Sequence, residues 1–203
     1  MDKAKLRLSA NEAELVLNAD WILTKNHVLL KVKWLLEELQ SRQQEFLLKH
    51  SFALPAEVQL IPPKISRGEN YKGLPWLVLD HPRHFGKNDQ FAIRTMFWWG
   101  NFFSITLHLS GRFKKMYENK IVASLSSLKE NSFSVGISNE QWEHHFEADN
   151  YMSLSGMNEA GFKAILESKE FIKLATSFSL EEWDNAEEML FALFCQLISW
   201  LQE

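Results

Sequence analysis

The string Asp80-His81-Pro82-Arg83-His84 places two imidazoles three positions apart beside a carboxylate. Imidazole and carboxylate are both metal ligands and proton carriers, so the string could hold a metal or work as an acid–base pair. A catalytic zinc takes three protein ligands, and the third would come from elsewhere; His108, His144, His145 and Asp149 are the candidates. A second histidine pair lies in Glu143-His144-His145-Phe146-Glu147. It lacks the HExxH order that sets two imidazoles and a general base on one helical face, and on a strand its two rings would point to opposite sides. It is set aside as a site.

Arg94, Ser104, Thr106 and His108 form a different constellation, rimmed by Trp98 and Phe102. Convergent polar groups between aromatic walls are what a small-ligand pocket needs. Arg94 could fix a carboxylate or phosphate by paired hydrogen bonds, and His108 could titrate near neutrality. The remaining signatures are absent: no G-x-S-x-G elbow, phosphate-binding glycine loop, dinucleotide fingerprint or kinase set. Cys195 sits among Leu193, Phe194, Leu197 and Ile198 and reads as a packing residue.

Whether those side chains meet depends on two strands, Phe91–Trp98 and Phe102–Leu109. Side chains alternate along a strand, so the loop length decides which residues share a face. A two-residue Gly100-Asn101 loop sets Phe97 against Ser104 and Ile93 against His108, mixing polar with apolar. A three-residue loop sets Phe97 against Phe103, Thr95 against Ile105, Ile93 against Leu107 and Phe91 against Leu109. That register makes one face apolar throughout and gathers Arg94, Trp98, Ser104, Thr106 and His108 on the other, so an odd loop is expected. The aromatics at the tip then require a cover over the second face: a helix of this chain, a second subunit or a ligand.

The flanking segments read as follows. Ser9 with Glu12 is a capping box for a short helix ending near Asp20. Val28, Leu29, Val32, Leu35, Leu36, Leu39 and Phe46 repeat at helical spacing, predicting a helix from Thr24 to Lys49. Prolines bracket Val58–Ile61, a possible edge strand, and 64–73 reads as a polar loop that could touch an anion through Arg67 or Lys72. Strands follow at 74–80 and 132–138, with a helix over 112–131 between the hairpin and the latter, and the second half of 141–155 leans to strand. Asn158 caps a helix running toward Ala175, and Ser179 with Glu182 opens a last helix to Leu201. That helix is apolar on most sides, so it is either central to the fold or faces another subunit.

The chain has 203 residues, 46% hydrophobic, 24% charged and 13% aromatic, with one cysteine. This is a globular composition without a disulfide framework, and the Cys-rich zinc classes are excluded. Charge is uneven: residues 60–120 carry 10 basic and 4 acidic side chains, and residues 121–203 carry 4 basic and 14 acidic. A basic middle can attract an anion or dock on the acidic third, and without a nucleic-acid motif no nucleic-acid partner is expected. No apolar run suits a signal or a membrane span, so the chain reads as cytoplasmic.

Helices first, strands in the middle and helices last predict a single α+β domain: a mostly antiparallel central sheet packed by helices from both ends, with 1–50 helical, 56–155 the sheet region with one inserted helix, and 158–203 helical. The functional expectation is a non-enzymatic ligand-binding or protein-interaction domain, a homodimer, taking a small anionic ligand at Arg94, Trp98, Ser104, Thr106 and His108. No cofactor is expected and no metal site is assigned. The alternative is a hydrolase or metal-assisted enzyme using Asp80, His81 and His84.

Overall fold

Helix starts follow the capping residues. A computed structural model of the chain describes residues 3–50 and 54–202. Ser9 Oγ accepts the Glu12 N–H at 3.3 Å while the Glu12 carboxylate accepts the Ser9 N–H at 2.7 Å, and α1 spans Ala10–Leu17. Asn18 then accepts the Trp21 N–H, so α2 runs Ala19–Lys49 and begins earlier than its apolar periodicity indicates. Pro55 opens a short helix α3, Ala56–Gln59, in place of the expected edge strand. The Val58 and Gln59 N–H groups donate back to the Pro55 carbonyl at 2.9 and 3.2 Å, and Val58 is fully buried.

The segment expected to be a loop is an edge strand, β1, Lys64–Tyr71. An edge strand shows one side to water, so polar residues suit it. Lys72 and Gly73, both at positive φ, turn the chain into β2, Leu74–Phe85. β3, Gln90–Trp98, and β4, Phe102–Ser110, pair through Phe97 and Phe103, Ile93 and Leu107, and Phe91 and Leu109, the register of a three-residue loop.

The helix expected over 112–131 is two, α4 (Gly111–Ala123) and α5 (Leu125–Glu130), broken at Ser124, whose hydroxyl donates to the Lys120 carbonyl. β5 is Ser134–Gly136 and β6 Tyr151–Ser153. The helix expected to reach Ala175 stops early: α6 covers Glu159–Glu167, and Phe171–Ser179 forms β7. β4 offers β7 a partner along its whole length, and that ladder outweighs the helical reading. A 3-10 turn, Leu180–Asn185, leads to α7, Ala186–Trp200.

All seven strands run antiparallel in the order β1-β2-β3-β4-β7-β5-β6, and the α+β architecture stands. One face buries Leu79, Phe91, Ile93, Phe97, Phe103, Ile105, Leu107, Leu109, Ile172 and Leu174 in the main core with α2, α4 and α7. α7 packs on α2 and β4 of its own chain, with Leu190, Phe194, Leu197 and Ile198 fully buried. Among the described residues no helix is long and apolar enough to cross a membrane.

Candidate functional site

The second face is organised by one cross-strand row. Lys64 on β1 pairs with Asp80 on β2, Asp80 with Arg94 on β3, and Arg94 with Thr106 on β4. Beyond Asp80 the register slips: Arg83, not Pro82, is the partner of Ala92. The extra residue is a β-bulge, and it brings Arg83 back to the face that Asp80 occupies. His81 falls on the helix side, lining a small pocket with Leu47, Leu48 and Gln59, and His84 meets the Phe113 ring at 5.4 Å. Strand alternation parts His81 from Asp80 and the bulge parts His84 from it, and among the described residues these three do not converge on one point. Burial pushes the His81 pKa down to about 4, with Arg83 adding to it, so the ring is neutral at physiological pH.

The irregular segment 137–150 of the same chain lies over the face, where a helix, a second subunit or a ligand was expected. Tyr71, at the end of β1, ties it down: its hydroxyl accepts the His144 and His145 N–H groups at 2.7 and 3.2 Å and donates to Glu143 Oε2 at 2.9 Å. Phe146 stacks on Tyr151 and meets Phe102 edge-on. Lys173 on β7 is buried beneath the segment, donating to the Glu143 carbonyl and to Asn150 Oδ1.

Four of the expected ligand contacts lie under or beside this cover. Ser104, Thr106 and His108 are buried, and Trp98 is enclosed by Tyr71 and Phe102 with its indole N–H donated to the Tyr71 carbonyl at 3.2 Å. His108 sits between the Trp142 and Phe171 rings. Burial, reinforced by the Arg94 and Lys173 charges, pushes its pKa down to about 3, so it does not titrate near neutrality.

Arg94 is the expected residue that reaches open space. It lines a pocket of about 480 Å³ with Lys64, Arg83, Asp80 and His144, walled by Tyr71, Trp76, Phe85 and Trp142. Its guanidinium grips Asp80 at both ends, Nε to Oδ1 at 2.7 Å and Nη2 to Oδ2 at 3.0 Å. Nη1 lies 3.1 Å from His144 Nε2. Burial first and Arg94 second hold the His144 pKa well below its usual value, so the ring is neutral and Nε2 accepts. Arg94 is thus committed to the wall. Lys64 and Arg83 have no carboxylate within 4.0 Å among the described residues, and Arg83 uses only Nε, on the Pro62 carbonyl. They are the cations the pocket can offer an anion. The bulge concealed Arg83, and the loop reading of 64–73 concealed Lys64.

Comparison with protein-family models, curated proteins and solved structures gives no match.

Proposed function

We propose that the protein binds a small planar anion in the pocket between β1–β3 and the 137–150 segment. The observation that carries this is the pairing of four aromatic walls with Lys64 and Arg83, two cations with no carboxylate within 4.0 Å among the described residues. A pocket of about 480 Å³ lies in the size range of small-molecule sites. Trp76 and Trp142 supply flat apolar surface for a ring, and Arg83 keeps its terminal nitrogens for a carboxylate or phosphate. The Arg94–Asp80 pair stiffens the floor. Asp80 faces the pocket while His81 and His84 face the helices, so binding is the reading we favour over hydrolysis. A cytoplasmic setting belongs to the same proposal.

The proposal includes a homodimer. Leu15, Val16 and Leu17 of α1 and Trp21, Ile22, Leu23, Leu30 and Trp34 of α2 are all exposed, and α1 buries no residue at all. These exposed apolar side chains motivate the dimer, to whose standard interface each partner gives on the order of 800 Å². Leu23, His27, Leu30 and Trp34 follow a 4-3-4 spacing that reads alike in both directions. Two antiparallel copies of α2 therefore bring Leu23 of one against Trp34 of the other.

Tryptophan fluorescence titrations with aromatic carboxylates and nucleoside monophosphates test the pocket. Saturable binding weakened at least tenfold by Arg83→Ala, with the melting temperature held, is expected. A panel that never saturates, or an Arg83→Ala variant that binds as wild type does, refutes it. Sedimentation equilibrium tests the dimer: wild type is expected to be twice the mass of Leu23→Asp/Trp34→Asp, and a monomeric wild type at 100 µM (about a hundredfold above a micromolar Kd) ends the idea.

A further inference from the structure

We infer that His145, Glu147 and Asp149 form a binding site for a divalent transition-metal cation, separate from the pocket. The three residues alternate along a turn of the covering segment. The Asn150 and Tyr151 N–H groups both donate to the Glu147 carbonyl at 3.0 Å, and Asn150 Nδ2 donates to the His145 carbonyl at 2.6 Å. This turn brings one ligand atom from each side chain within 4.8 Å of the others. His145 Nδ1 lies 3.7 Å from Asp149 Oδ1 and 3.9 Å from Glu147 Oε2.

The histidine is what makes this more than two acidic side chains on a surface. Its side chain is only 5% exposed, and Nδ1 has no hydrogen-bond partner. The other ring nitrogen, Nε2, faces Glu143 Oε2 at 3.3 Å. A proton on Nε2, directed at Glu143, leaves the Nδ1 lone pair pointing at two carboxylates. Buried polar atoms are almost always paired, and a lone pair facing two anions is repelled by both. A cation at that point satisfies all three. A carboxylate behind the distal nitrogen is also the usual support of a metal-bound imidazole, because it fixes the tautomer and raises the ligand's basicity.

One imidazole with two carboxylates suits Zn²⁺, Mn²⁺ or Fe²⁺ better than Ca²⁺, which takes oxygen alone. Glu147 and Asp149 are about three-quarters exposed, so they can draw in to bonding distance and leave the remaining positions to water. Glu143 also accepts the Tyr71 hydroxyl of the pocket wall. A cation at His145 therefore braces the cover through Glu143 without touching the pocket.

Isothermal titration of the chelator-treated full chain with ZnCl₂ and MnCl₂ near neutral pH tests the site. One equivalent bound at micromolar Kd or tighter is expected. Glu147→Gln/Asp149→Asn, isosteric and on exposed side chains, should weaken it at least 30-fold while leaving the melting temperature in chelator unchanged. Glu143→Gln should weaken it about tenfold, as loss of an outer carboxylate does. No binding at metal concentrations up to about 100 µM (weaker than the micromolar Kd expected), or equal binding by the double variant, overturns the inference. Neither result depends on any pocket ligand.

Discussion

Replacing Lys173 by methionine probes the covered face at its most costly residue. The lysine is 2% exposed, and its ammonium bonds a carbonyl and an amide oxygen rather than a carboxylate. Burial lowers its pKa from 10.5 to about 8, against the pull of Glu143 and with the help of Arg94. The folded protein thus releases this proton near pH 8, while the unfolded chain holds it to 10.5. Between those values the unfolded state binds more protons, so stability rises with pH; below pH 8 the penalty is present in full. At 1.36 kcal/mol per pH unit the complete swing is about 3 kcal/mol, of which between about 2 and 3 falls between pH 7 and pH 10. Urea denaturation of wild type and Lys173→Met at both pH values isolates it. The hydrogen bonds lost in the variant are a constant that cancels. So does the opposing alkaline slope of Tyr71 and Tyr117, each pushed up to about 12 by burial, because both proteins carry them. Relative to the variant, wild type should gain that 2–3 kcal/mol, roughly 5–10 °C in melting temperature for a domain of this size. Parallel stability curves would mean that Lys173 keeps an aqueous pKa, and the buried environment described for it would be wrong.

Acid should act in the opposite sense. His81 and His108, lowered to about 4 and about 3, bind protons less readily folded than unfolded, so stability falls as the pH drops below 6.5. By pH 4.5 the two together withdraw roughly 4–5 kcal/mol, and His108→Leu should recover about half of that loss in a pH-resolved melt. Gly111 has φ 57, and a Cβ there would lie 2.1 Å from Asp89 Oδ1, the oxygen that accepts the Arg112 N–H at the start of α4. Gly111→Ala should cost roughly 2–4 kcal/mol, combining left-handed strain with a displaced cap. Gly100→Ala, at φ 69 but in open space, should cost roughly 1 kcal/mol in the same urea assay, and equal losses would refute the steric argument.

The hairpin was legible because only one loop parity sorts Phe91, Ile93, Phe97, Phe103 and Leu107 from Arg94, Ser104, Thr106 and His108. Ser9 and Asn158 announced their helices because a cap is a local event, complete within three residues. β7 was not legible. Phe171–Ser179 follows directly on a helix, and its strand state depends on β4, far away in the chain. β1 was hidden by the polarity that fits it to an edge. The site divided along the same line. Arg94 reaches the pocket as its face required, but Arg83 depends on a bulge and Lys173 on a strand that no local pattern revealed. His144 and Trp142 act from a segment without repeating structure, where alternation and helical spacing carry no information.

The open margins of the sheet bear on how molecules of this protein can meet. β1 presents Lys64, Arg67 and Glu69, the last bound to Lys25 of α2, and its register slips between Gly68 and Tyr71. β6, at the other margin, is three residues long. A charged, irregular border and a stub are poor templates for an incoming strand, which needs a run of evenly spaced backbone partners. Growth of the sheet from one molecule into the next is therefore blocked at both ends. A chain rich in aromatic strands is thereby guarded, while folded, against edge-to-edge stacking of its sheet on that of another copy.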